Sequence, residues 1–275
     1  MNILVLGGDR RNLELIKLLD KEEINVKAFA IEGEGIEKYL INNLEEAINT
    51  ADKIILGIPF SKDGETLNAA TKISITYLIN QIKENQEIYG GVLNEEFLLK
   101  AHNRGAKCFD FMKYEEFAIL NTIPTVEGAI EIAIKNTEIT LHNANILVAG
   151  YGRIGKLLAK ILKDMGANVT VSARKNEDFA WINTYGYNKL EYKDLVENVE
   201  KYDIIFNTVP YMLFDEEVLK RINKECLIID LASKSGGIDF SYANRLGVNC
   251  IWALGLPGKV ACKSAAKYML EVIFK

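Results

Sequence analysis

Gly150-Tyr151-Gly152-Arg153-Ile154-Gly155 carries the spacing G-x-G-x-x-G, with an apolar run, Asn145 to Ala149, before it and a helical pattern, Lys156 to Met165, after it. In that setting the first glycine permits a tight turn, the second lets a pyrophosphate approach the backbone, and the third lets the helix lie close to the sheet. Amide N–H groups and the positive end of the helix dipole then face the anion. The alternative is a glycine turn without a ligand; the flanking strand and helix, and the further strand Asn168 to Ser172, weigh against it. A bound nicotinamide dinucleotide is expected.

An NAD-selective unit usually places Asp or Glu at the end of its second strand, where it accepts hydrogen bonds from the ribose hydroxyls. Here that strand ends Ser172-Ala173-Arg174-Lys175. A carboxylate would repel the 2′-phosphate of NADP, whereas Ser172 can donate to it and Arg174 can pair with it or stack on adenine. NADP is therefore expected, the alternative being a pair of solvated surface cations. Farther along, Asn207-Thr208-Val209-Pro210 ends one strand, and Ala232 and Ser233 stand in the turn Leu231 to Gly237 that ends the next. Such folds bind ligands at these strand ends, so both turns are assigned to the nicotinamide carboxamide and ribose, with Leu256 and Pro257 added to the cofactor side. Strand-end turns also use these residue types for geometry alone.

The elements that must position these residues follow from short apolar runs, ending in glycine or proline, that alternate with segments of helical period. Asn2 to Leu6, Val26 to Ile31, Lys53 to Ile58 and Gly105 to Phe109 read as strands of a first α/β domain, with helices at Asn12 to Leu19 and Asn94 to Asn103. Asn145 to Ala149, Asn168 to Ser172, Ile204 to Thr208, Leu227 to Leu231 and Asn249 to Ala253 read as buried parallel strands of a second. The halves echo each other, since Asn-Ile-Leu-Val opens both at Asn2 and Asn145. Glu115 to Asn121 and Val126 to Asn136 keep helical spacing, with Pro124 placed to start the second piece. Val260, Ala261, Ala265, Met269, Leu270 and Ile273 keep it at the end of the chain. The expected fold is α/β: two Rossmann-like, doubly wound parallel-sheet domains joined by a linker helix and a C-terminal crossover helix. Residues 1–125 with 260–275 form the expected substrate or partner domain, and residues 126–259 the NADP domain.

Composition narrows the chemistry. The 275 residues are 49% hydrophobic and 26% charged, with a formal charge of −5 spread along the chain, which argues against a nucleic-acid or membrane partner. Cys108, Cys226, Cys250 and Cys262 are scattered, with no C-x-x-C pair, so no metal is expected. No basic region with a cleavage site opens the chain and no apolar run reaches the ~20 residues of a membrane span, so a cytoplasmic protein is expected.

Several further segments, taken in order, resemble one family. They are Leu6-Gly7-Gly8-Asp9-Arg10-Arg11, the linker Ile119-Leu120-Asn121-Thr122-Ile123-Pro124-Thr125-Val126-Glu127-Gly128-Ala129-Ile130, the glycine turn, Ile229-Asp230-Leu231-Ala232-Ser233, and Leu254-Gly255-Leu256-Pro257-Gly258-Lys259-Val260-Ala261. Together the chain resembles the A subunits of dipicolinate synthase, the bacterial sporulation enzyme that makes pyridine-2,6-dicarboxylate. It departs from the pattern at Cys262 and Ser235, where prolines are expected. The resemblance implies an NADP-type oxidoreductase that oxidises a dihydrodipicolinate-level intermediate of the lysine pathway and works with a separate flavoprotein-like B subunit of dipicolinate synthase. A homo-oligomer is expected.

That oxidation removes a hydride and a proton, so the protein must orient two carboxylates and provide a proton acceptor. Arg10 and Arg11 end the first strand, Ser61 follows Pro59, Thr125 and Glu127 open a helix, and Lys259 lies in the Leu-Pro-Gly-Lys turn. Arg10, Arg11, Ser61 and Thr125 are assigned to a small dicarboxylate substrate, and Glu127 and Lys259 to catalysis. The alternatives are a solvated arginine pair, a helix cap at Thr125, dipole compensation by Glu127 and a surface charge at Lys259. No histidine follows His142, which argues against a 2-hydroxy-acid dehydrogenase with a histidine base. A dehydrogenase of another small carboxylate, of shikimate or amino-acid type, and a non-catalytic NADP-binding scaffold or sensor are the competing readings.

Overall fold

The computed structural model describes residues 1–233 and 236–275; Lys234 and Ser235, within the turn assigned above to the nicotinamide, lie outside the described residues. The chain divides into two compact units, Met1–Asn121 with Pro257–Lys275, and Thr122–Leu256. Sequence patterning set the boundaries at 125/126 and 259/260, whereas here Pro257, Gly258 and Lys259 belong with the first unit.

The first unit holds strands β1 (Asn2–Leu6), β2 (Asn25–Phe29), β3 (Lys53–Ile55), β4 (Glu87–Gly90) and β5 (Lys107–Asp110), in the order β2-β1-β3-β4-β5. All pairs are parallel. Alternate residues of β1 serve opposite faces: Ile3 and Val5 enter one core cluster, Leu4 and Leu6 another. The helices Arg10–Lys21 and Cys262–Ile273 cover the first face through Ile16, Leu19, Ala266 and Met269. Leu78, Phe97 and Ala101, from the helices Ile75–Gln81 and Glu95–Asn103, cover the other. Burial on both faces explains why β1 is apolar without alternation.

The second unit holds β6 (Asn145–Ala149), β7 (Asn168–Ala173), β8 (Asn188–Glu191), β9 (Ile204–Asn207), β10 (Leu227–Asp230) and β11 (Asn249–Trp252), in the order β11-β10-β9-β6-β7-β8. Strand order reverses between β6 and β9, the switch point at which such sheets bind ligands. Register sets Ala149, Asn207, Asp230 and Trp252 abreast along the carboxyl edge. The helices Thr122–Lys135 and Arg153–Asp164 cover one face with Val126, Ala129, Ala133, Leu158 and Leu162.

Sequence patterning missed β4 and β8. In β8 the lone Leu190 is buried among Asn188, Lys189 and Glu191, because an edge strand needs no apolar run. The linker helix begins at Thr122, so Pro124 is its third residue, in the first turn, where its missing N–H leaves no bond unmade. The helical run 115–135 is long and apolar enough to cross a membrane by length and composition alone, but half of its most apolar window is buried inside the protein.

Candidate functional site: a dinucleotide cradle

The second unit brings the glycine turn to the switch point. Gly150 follows β6 with φ +100°, a backbone region that side chains disfavour, and its N–H donates to Ser172 O at 2.9 Å. A Cβ on Gly155 would lie 2.1 Å from Gly150 O, so only glycine lets the helix Arg153–Asp164 approach this closely. Gly152 differs: a Cβ there would meet nothing within 4 Å. It is also the N-cap of that helix and provides no side-chain cap. An open approach beside uncapped amides and a positive dipole end fits a pyrophosphate.

Neighbouring elements complete the cradle. Thr208 clamps β6 through its N–H and Oγ1–H, both donated to Ala149 O at 2.9 Å. Val209 lies close behind Gly150, with Cγ2 2.9 Å from the position a Cβ would take, and Pro210 is exposed beyond it. Asn207 and Asp230, which the sequence motifs contain without an assigned role, are fully buried and tie the two strand-end turns together. Asn207 Nδ2 donates to Asp230 Oδ1 at 2.8 Å and to Val209 O at 3.0 Å, while Val209 N–H donates to Asn207 Oδ1 at 3.1 Å. Asp230 also accepts from Ala232 N at 3.0 Å and Gly237 N at 2.9 Å. The legible signal was a polar residue ending each of two otherwise apolar strands.

At the end of β7 a cleft of about 720 Å³ is lined by Lys156, Arg174, Lys175, Glu177, Asp178 and Trp181 among others. Arg174 and Lys175 are exposed there, but Ser172 is not. It is 0% exposed and its Oγ has no partner inside the sheet, so the expected donation to a surface phosphate is corrected. β7 lies between β6 and β8 with both faces covered, which buries Ser172 as it buries Val171. Tyr151 is likewise part of the core, where burial pushes its hydroxyl up to about 12. Ile154 packs partly against that core, and Arg153 and Ser233 are exposed. Ala173 and Ala232 are buried. Leu256 belongs to the core of the second unit and Pro257 opens the return to the first, so neither is an open cofactor surface.

The first unit places Arg11 and Gly258 against Asp9, with Arg10 and Lys259 as their chain neighbours. Arg11 is buried, at 3% exposure, with Nε and Nη2 donating to the Asp9 carboxylate at 3.0 and 2.7 Å and Nη2 also donating to Ile58 O. It is a structural tie, which corrects its assignment to substrate. Burial would raise the Asp9 carboxyl, but hydrogen bonds and charge from Arg11, with the nearby Lys62 charge, hold it below its ordinary value. Arg10 is exposed and its Nη1 donates to Lys259 O at 3.3 Å, so Arg10 and Lys259 stand together. Ser61 is a turn residue: its Oγ donates to Asp63 Oδ1 at 3.1 Å and accepts from Gly64 N at 2.9 Å. Thr125 and Glu127 lie on the Thr122–Lys135 helix, beyond its start, so neither is its cap; Glu127 is exposed.

The glycine turn of the first unit is filled by its own chain. Gly8 N donates to Asn68 O at 2.6 Å, and a Cβ on Gly7 would lie 2.6 Å from Ala69 Cβ. The helix that follows is capped by Asp9 and Asn12. Among the described residues no group of three His, Cys, Asp or Glu could hold a metal. Burial raises the thiols of Cys108 to about 11 and of Cys226 and Cys250 to about 12, far from nucleophilic use.

Comparison with known proteins agrees with this division. Residues 2–112 match the family described as the N-terminal domain of the dipicolinate synthase A subunit, while residues 126–235 match the D-isomer specific 2-hydroxyacid dehydrogenase, NAD binding domain. The crystal structure of the dipicolinate synthase A subunit from Bacillus halodurans superposes with a TM-score of 0.89 at 28% identity, covering 99% of this chain and 96% of that one. The corresponding crystal structure from Bacillus subtilis gives 0.85 at 30%, covering 99% and 94%. A transhydrogenase from Sinorhizobium meliloti, at 17% identity and 0.68, shares the fold. The chain is thus an NAD(P)-dependent oxidoreductase whose second unit takes a nicotinamide dinucleotide. It is 32% identical to the dipicolinate synthase A subunit of Bacillus subtilis (strain 168), covering 100% of this chain and 95% of that one, and it belongs to the family of dipicolinate synthase A subunits.

Proposed function

We propose that this chain is the NADP-dependent component of an enzyme that oxidises a cyclic, dihydrodipicolinate-level dicarboxylate to pyridine-2,6-dicarboxylate together with a separate B subunit. The observation that carries the reading is the joint presence, in a chain of this family, of the open cradle at Gly152 and the exposed side chains Arg10 and Lys259, linked through the bond from Arg10 to Lys259 O. A guanidinium matches a planar carboxylate with two parallel N–H donors, and an ammonium adds a point charge. Arg10 and Lys259 are the proposed carboxylate partners.

The dinucleotide supplies a hydride acceptor. The chain's own residues orient the ring and take the proton, and aromatisation makes the step downhill, so a modest base suffices. Glu127 is the proposed proton acceptor and Thr125 a supporting hydroxyl. The preference for NADP rests on the cationic end of β7, where Arg174 and Lys175 occupy the place of an acidic ribose ligand.

The test is turnover of the dihydrodipicolinate-level intermediate by the purified chain, with and without its B partner, under NADP or NAD. A product with aromatic ultraviolet absorbance, formed faster with NADP, is expected. No product under any combination overturns the assignment; equal rates with NAD overturn the cofactor preference alone.

A further inference from the structure

The cleft at the end of β7 receives a cation from a second element. Lys156 sits in the first turns of the helix Arg153–Asp164, its N–H donating to Gly152 O at 2.9 Å, so its backbone is fixed to the glycine turn itself. Its Nζ stands 5.5 Å from the centroid of the buried Tyr151 ring, which holds the ammonium beside the turn while leaving it exposed. Arg174 and Lys175 reach the same cleft from the end of β7. Glu177 and Asp178 also line it, but they lie in the first turn of the helix Asn176–Thr184 and complement its dipole.

A phosphomonoester carries nearly two negative charges and accepts several hydrogen bonds. With Ser172 sealed inside the sheet, Arg174 and Lys175 are adjacent residues on one loop, and a donor from a second element would hold such a group more firmly. We propose that Lys156 is that donor: it closes a three-cation clasp with Arg174 and Lys175 around the 2′-phosphate of the cofactor and makes the choice of NADP over NAD. This rests on the NADP reading and adds a specificity residue to it.

The experiment titrates wild type, Lys156→Met, Lys156→Arg and Arg174→Asp with NADP, NAD, adenosine 2′,5′-bisphosphate and AMP, by calorimetry. Lys156→Met is expected to weaken NADP and the bisphosphate about 10-fold or more, the scale of one charge-assisted hydrogen bond, with NAD and AMP changed by less than about twofold. Lys156→Arg is expected to restore most of the loss, and a thermal melt checks that each variant is folded. Equal losses for NADP and NAD would put Lys156 on the pyrophosphate and overturn the proposal, while a retained effect of Arg174→Asp on NADP alone would leave the NADP reading standing. A wild type that binds NADP and NAD equally overturns both.

Discussion

Asn207 and Asp230 face each other across β9 and β10, and the 2.8 Å bond from Asn207 Nδ2 to Asp230 Oδ1 joins the ends of the two strands beside the glycine turn. Both are 0% exposed, so each of the two strands ends on a buried polar group that binds described backbone amides. Asp230→Ala would leave Asn207 Nδ2 and the amides of Ala232 and Gly237 short of their acceptor. A loss of about 3 kcal/mol is expected on the scale of a broken buried network, together with at least tenfold weaker cofactor binding. Urea unfolding and a dinucleotide titration measure the two effects; an unchanged midpoint would remove Asp230 from this role.

The glycines of the cradle separate stability from binding. Gly152→Ala adds a methyl group to open space at an ordinary backbone angle, so stability is expected to stay within about 0.5 kcal/mol while dinucleotide affinity falls at least tenfold. Gly155→Ala drives a methyl into Gly150 O and is expected to lower the melting temperature. Should Gly152→Ala bind normally, the pyrophosphate does not lie there.

One dinucleotide per chain is expected, although in both units the first strand leads into a glycine turn. In the first unit, Asn68, Ala69 and the Asp9 cap occupy the space and the amides that a phosphate would use. Calorimetric stoichiometry decides this, and two equivalents would contradict it.

The Asp9–Arg11 pair predicts both a mutational and a pH effect. Asp9→Ala strands a buried guanidinium and is expected to cost about 3–5 kcal/mol, with Asp9→Ala/Arg11→Met recovering part of the loss. Because the folded carboxyl titrates below its unfolded value, its contribution is fully present above about pH 4 and disappears as pH falls through the lowered folded value. Melting temperatures measured from pH 6 down to pH 2 in wild type and Asp9→Asn should converge at the acid end. Parallel curves would show that another group governs the acid transition.

Much of this architecture is legible in local sequence. Ile3 to Leu6 and Ile146 to Ala149 announce strands buried on both faces, and G-x-G-x-x-G between a strand and a helix announces the cradle, because each pattern depends on neighbours in the chain. Short strands with weak apolar signal, such as Glu87–Gly90, escape because the partners that bury them are distant in sequence.

The amino-acid sequence by itself determined the strand-turn-helix unit at Gly150 to Gly155 and the cationic run Arg174-Lys175, since spacing and residue type suffice for both. Only the tertiary structure decided which polar side chains face outward. Arg10 and Arg11 are adjacent and alike in type, yet Arg11 is consumed by Asp9 and Ile58 O while Arg10 stays exposed. Ser172 ends a strand beside the expected phosphate, yet a sheet covered on both faces seals it, and Lys156 reaches the cleft from a helix a strand away. Burial is set by which elements stack on a residue, and that information resides in the sheet order and long-range contacts, not in the residue's sequence neighbours.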